Sequence, residues 1–310
     1  MRALVLTTVA ASLLLAGGAT ASTGGHGDSS VAQKFTQTTR STEWQQVDRM
    51  SLDFDTYHPQ GMALVGDRIF ISSVEVIEAP KQYPKPVDGY DRSPGKGVGH
   101  LFVVSREGEL LDHVELGEGN SYHPGGIDFD GRNLWVPVAE YRPDSAATVY
   151  RVHPDTLDVD KAFEVSDHVG GVVRDRATGL VHGVTWGSRT MYTWTPRGHK
   201  LDREGNRDHM LDYQDCAYVK FRKQLCTGVT GLPTADGGSY ELGGLALLDL
   251  HRGSILHEVP FQQFSTAGHV MTRNPVAVES TRDGLRLFAA PDDGEEKAGT
   301  ELFVYEASVF

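Results

Sequence analysis

One phrase recurs along this chain and limits what it can fold into. "TYHPQGMALVGDRIFISSVEV" occupies residues 56–76, "SYHPGGIDFDGRNLWVPVAEYRP" residues 121–143, and "SDHVGGVVRDRATGLVHGVTWG" residues 166–187. Each sets a histidine two or three residues ahead of a glycine, then gives an apolar run, a turn and a second apolar run. A supersecondary unit repeated in one chain buries its apolar faces against copies of itself. Two less similar units follow, from "DCAYVKF" at residue 215 and "NPVAVES" at residue 274. Units therefore start near 58, 123, 168, 215 and 274, a spacing of 45–65 residues. That length holds four strands and their loops.

The runs themselves read as strands. Each is short, rich in Val, Ile, Leu, Phe and Tyr, and bounded by turn residues in stretches such as "VGDR", "FDGRN" and "STRDGLR". No segment keeps a helical period. Four-stranded units in radial repetition make a β-propeller. The fifth unit supplies three runs only, and the unpaired stretch "TEWQQVDRMSLDF" (42–54) is available to complete it. The reading is an all-β, five-bladed propeller closed by an N-terminal strand, which removes an exposed edge. Six blades are the rival count, if part of 74–99 or 195–213 supplies further strands. In the third unit, the fourth strand is expected near "HMLDY" (209–213).

The first 21 residues stand apart. A basic start at Arg2, the apolar run "ALVLTTVAASLLLAGG" and the small residues before Ser22 read as a secretory signal peptide. Residues 22–40 read as a flexible lead-in, and 41–310 as a single propeller domain. The expected location is extracellular. A net charge of −13 without a Lys/Arg run argues against nucleic acid and anionic membranes. The chain is expected to be a monomer that binds a small molecule or an oligosaccharide. Cys216 and Cys226 flank a hairpin turn at "FRKQ", which places them across paired strands as a disulfide.

Chemistry-bearing residues gather where the repeats converge. In a propeller, the start of the first strand and the end of the second lie on one face. The first-strand starts are His58, His123, His168, Asp215 and Asn274. The second-strand ends bring Ser73 and Glu75, then Glu140, Tyr141 and Arg142, then Trp186 and Arg189, then Thr230, then Asp292 and Asp293. Three chemistries suit this set. Imidazoles can hold zinc or a similar metal that activates water. His58, His123 and His168 can serve as acid or base, with Tyr141 as partner, Arg189 or Arg142 as a carboxylate clamp, and Trp186 stacking on a sugar. Glu75, Asp215 and Asn274, with Glu140 and Asp292, can offer oxygen ligands to calcium. The Pro/Gly-rich loop 76–99 reads as a flap over this face.

The phrases "YHPQGM", "YHPGGIDFDG", "LWVPVAEYRP", "DHVGGVV" and "TWGSR" resemble an uncharacterised secreted family of bacteria and filamentous fungi, over most of residues 40–310. At fold level the chain is similar to calcium-dependent lactonase propellers of the gluconolactonase and paraoxonase type, and to strictosidine-synthase-like propellers. The lactonase resemblance implies an axial calcium held by Glu, Asn and Asp; this chain has histidine at three of those positions. Propeller polysaccharide lyases are a second analogy. The expected function is a hydrolase or lyase acting on a carbohydrate-like or lactone substrate. The alternative is a non-catalytic propeller that binds a glycan or a protein.

Overall fold

The apolar runs become strands because both of their faces are covered. In the strand Arg68–Glu78, Ile69 and Ile71 point one way and Phe70 the other, and all three are fully buried. Ile69 and Ile71 pack with Phe288, Leu302 and Val304, whereas Phe70 packs with Leu134, Val136 and Val138. In the next unit Trp135 turns to the far side and meets Val172, Val181 and Trp194. Alternation at period two thus sends one strand's side chains into two different wedges of core.

The computed structural model describes residues 29–294 and 299–309. The expected signal peptide at 1–21 and the lead-in as far as residue 28 lie outside the described residues. Among the described residues no helix is long and apolar enough to cross a membrane. Five antiparallel four-stranded sheets stand in a ring as a five-bladed β-propeller. Their innermost strands begin at His58, Ser121, Val169, Asp212 and Val276. The closure is the one the sequence predicts: Gln45–Ser51 pairs with Glu301–Ser308 and completes the fifth blade.

Three local expectations change. The fourth strand of the third blade is Lys200–Gly205, and the segment expected for it instead leads into the fourth blade at Asp212. The loop 76–99 is not irregular. The first blade's second strand runs on to Glu78, its third begins at Lys96, and Gln82–Val87 pairs with Tyr90–Arg92 as a small hairpin beyond them. Neither region adds a sixth blade. Part of the lead-in is also ordered: Ser29–Phe35 is a helix, because Val31, Ala32 and Phe35 form one apolar face buried against Leu245, Phe261 and Leu285.

The disulfide forms as expected, with Cys216 opposite Cys226 on paired strands. The repeated glycines have a steric cause. A Cβ on Gly125 would lie 2.1 Å from the carbonyl oxygen of Gly170 in the next blade, and one on Gly61 would lie 2.7 Å from that of Gly125. At these two positions the inner strands pack too closely for any side chain. Gly125→Ala is therefore expected to cost about 2–3 kcal/mol through overpacking. Gly170→Ala, whose Cβ would meet nothing nearer than 3.6 Å, should cost far less. Denaturant midpoints of the two variants check the contrast; equal midpoints would refute it.

Candidate functional site

His58 opens the first inner strand, His123 is the third residue of the second, and His168 immediately precedes the third, so they converge at one mouth of the channel. His123 lies between the other two, with ring centroids 6.3 Å from His58 and 6.0 Å from His168. Two strained residues help present the site. Tyr57 (φ 56°) precedes His58, and Ser188 (φ 49°) closes the Trp186–Ser188 turn. Left-handed backbone at non-glycine positions costs about 1 kcal/mol or more and clusters at functional sites.

Each histidine has a different environment. The Nδ1–H of His58 donates to Asp293 at 2.6 Å, and its Nε2 accepts from the Gln60 amide at 2.6 Å. Burial alone would raise the Asp293 carboxyl, but His58, Arg273 and Asn274 outweigh it and hold that carboxyl below its usual range. The Nδ1–H of His168 donates to the Glu140 carbonyl at 2.8 Å, which leaves Nε2 as an acceptor. Burial pushes His168 down to about 4, so the ring is neutral at ordinary pH. His123 is buried, and neither ring nitrogen has a hydrogen-bond partner among the described residues. Burial, then repulsion from His168 and His58, holds it well below the usual histidine range.

A cavity of about 390 Å³ opens above these rings. Tyr141 forms a wall 4.2 Å from His123, ring to ring, and burial raises its hydroxyl pKa so that it stays protonated. Trp186 stands edge-on to His168 at 4.9 Å. The hairpin beyond the first blade reaches over this side. Arg92 lies 5.2 Å over the Trp186 ring, and Tyr90 is covered by the Arg142 guanidinium at 3.4 Å. The expected flap is therefore an ordered β-hairpin fixed to the second and third blades by two cation–π contacts.

Of the residues singled out from sequence, His58, His123, His168, Tyr141, Trp186 and Asn274 line this cavity. Others do not. Arg189 is used up structurally: it binds the carbonyls of Gly187, Asp208 and Leu211 and pairs with Asp212 at 2.6 Å. Glu140 and Arg142 pair with each other. Asp292 points inward and accepts from Ser265, while its neighbour Asp293 faces His58. Asp215 is the fourth residue of its strand, not the first, and its carboxylate accepts the backbone N–H of Met62 and of Ile127. The cavity residues at the head of that strand are Asp212, Tyr213 and Gln214. Sequence reasoning missed these three, with Gln60, Arg92 and Arg273. Correct strand starts would have found Asp212, Tyr213 and Gln214.

The metal readings find no assembled ligand set. Among the described residues no three His, Cys, Asp or Glu side chains group to hold a metal. Glu75 faces His100 at 3.4 Å, Asp215 is spent on backbone amides, and Asn274 donates to Pro291 and Asp293. Both nitrogens of His58 are already engaged. Calcium wants six or more oxygen ligands, and this mouth presents imidazoles instead.

Solved structures similar to the chain include three enzymes. A glycosyl hydrolase from Bacteroides ovatus is 11% identical with a TM-score of 0.46, covering 84% of this chain and 87% of that one. MPT-4, a mannose phosphorylase from Leishmania mexicana, is 12% identical with a TM-score of 0.45, covering 84% and 88%. Kuenenia stuttgartiensis hydrazine synthase is 15% identical with a TM-score of 0.40; the match covers 77% of this chain but 57% of that one. Likenesses this distant carry no argument about chemistry. No curated protein matches the sequence. Residues 28–310 match a family of unknown function, DUF6454, and the chain belongs to that family.

Proposed function

We propose that this propeller is a hydrolase for an uncharged ring substrate of carbohydrate or lactone type, with His168 as proton acceptor and Tyr141 as proton donor. The observation that carries the reading is the state of His168. Its tautomer is fixed by the Glu140 carbonyl, it is neutral, and it lines the cavity beside Trp186. A water beside Nε2 loses its proton there as its oxygen attacks the electrophilic ring carbon. As the carbon–oxygen bond breaks, the Tyr141 hydroxyl protonates the leaving oxygen. Trp186 offers an aromatic face to the apolar side of a sugar.

Charge balance favours hydrolysis over elimination from a uronate. Elimination needs surplus positive charge for the substrate carboxylate. Yet Arg273 already lies 3.6 Å from Asp293 and 3.7 Å from Glu241, Arg92 is bound to Asp91, and Arg189 to Asp212. The disulfide suits an oxidising, extracellular setting.

The test is a panel of lactones, neutral glycosides and uronates, assayed for turnover and, by calorimetry, for binding. Turnover of a neutral substrate that is lost in His168→Ala and His123→Ala supports the proposal. Turnover kept in both variants, or activity confined to uronates, overturns it. Binding without turnover would turn the reading to a glycan-binding propeller.

A further inference from the structure

Behind the cavity wall, two acidic side chains meet in a place short of donors. Asp208 is 2% exposed; its Oδ1 accepts the backbone N–H of Met210 and of Leu211, and its Oδ2 is buried. Glu258, on the outer strand Ser254–Phe261, brings a buried Oε1 with no donor to the same place. The Tyr213 hydroxyl is buried against them and has one hydrogen to give, to Asp208, which leaves Glu258 without a donor. Two carboxylate oxygens cannot satisfy each other, and an unmade buried hydrogen bond is costly. One proton between them resolves this.

The segment they hold supports the site. Asn206 receives the Asp208 N–H and donates to Ser188, and Ser188 also accepts the Tyr213 N–H at 2.9 Å. Ser188 ends the turn that carries Trp186, and Asp212 and Tyr213 line the cavity. Arg189 binds the carbonyls of Asp208 and Leu211 and the Asp212 carboxylate.

We propose that Asp208 and Glu258 share one proton, and that its loss unlatches segment 206–211, and with it the Trp186 side of the cavity. Without the proton, two negative charges repel in a partly buried place. The charged and titratable groups around the pair are Tyr213, Asp212 and Arg189. Arg189 reaches Asp208 only through its carbonyl. Burial first, then the contact with Asp208, raises Glu258 to about 7, which puts the switch near neutrality. A carboxyl raised in the folded state contributes stability below its unfolded pKa and loses that contribution as pH rises to the folded value. The window is therefore about pH 4.5 to 7.

Thermal melts of wild type and Glu258→Gln from pH 5 to 8 read this directly. The glutamine amide donates to Asp208 at every pH. The variant-minus-wild-type difference in Tm is expected to grow by roughly 2–5 °C across the range. Subtraction removes the histidine contribution, which has the opposite sign. Carboxyl ¹³C titration of the wild-type protein should show one Glu with a midpoint near 7, and amide exchange at Met210 and Leu211, corrected for intrinsic rate, should speed up above it. Parallel melting curves, or no Glu carboxyl titrating above pH 5.5, overturn the proposal. A gain in Tm with added Na⁺ or Ca²⁺ at pH 8 that Glu258→Gln abolishes also overturns it, because a cation would then take the place of the proton.

Discussion

Asp215→Ala is expected to destabilise the ring by about 3–5 kcal/mol, a fall in Tm on the order of 10 °C. The carboxylate sits on the fourth blade but takes the backbone N–H of Met62 from the first blade at 2.6 Å and of Ile127 from the second at 3.1 Å. It also faces the N–H groups of Val276 and Cys216, so it ties the fourth blade to three others at the axis. Alanine would strand these amides in a place closed to water, each costing about 1–3 kcal/mol. Burial pushes the Asp215 carboxyl well above its usual range, against the pull of those amides. Asp215→Asn should fall between, because its amide nitrogen has no lone pair to offer. A variant Asp215→Ala melting within a degree or two of wild type would show that the axis does not depend on this pin.

The second large effect is catalytic. On a substrate that the protein turns over, His168→Ala should lower kcat by about 10²–10⁴-fold, the usual worth of a positioned base. The pH profile separates this role from a structural one. A base must be neutral to act, and burial holds His168 at about 4. The acid limb of kcat/KM should then fall near pH 4, and activity should be level through pH 6.5. An acid limb near 6.5 would mean a solvated imidazole, and the assignment would fail. Stability follows the same group with the sign reversed relative to Glu258. A histidine depressed in the fold stays neutral while the unfolded chain takes up protons, so stability falls as pH drops from about 6.5 toward 4. His123 and His182, also lowered by burial, add in the same direction.

Much of this was legible in the residues. The repeat fixes the propeller, because a four-stranded unit can bury both faces only between copies of itself. The three-run last unit and the spare strand at 42–54 announce the closure. Cys216 and Cys226, on either side of a four-residue turn core, announce their pairing. The histidines are legible too, since equivalent positions in radial repeats must share a face. Parity was harder. Asp292 and Asp293 are neighbours in sequence but point to opposite sides of the chain, and Asp215 lies three residues inside the strand it was expected to begin.

What sequence alone determined is the architecture and the convergence, since both follow from the period of the apolar runs. Only the tertiary structure decided which polar groups remain available for chemistry. Arg189 and Arg142 carry the charge a clamp would need, but one is consumed by loop carbonyls and Asp212, the other by Glu140. His58 is engaged at both nitrogens, whereas His168 keeps one as an acceptor. The hairpin at 82–92 became a fixed cover because Arg92 and Tyr90 find aromatic and cationic partners two blades and one blade away. A side chain's chemistry depends on its protonation and on its partners. Burial sets the first, and residues distant in the chain supply the second.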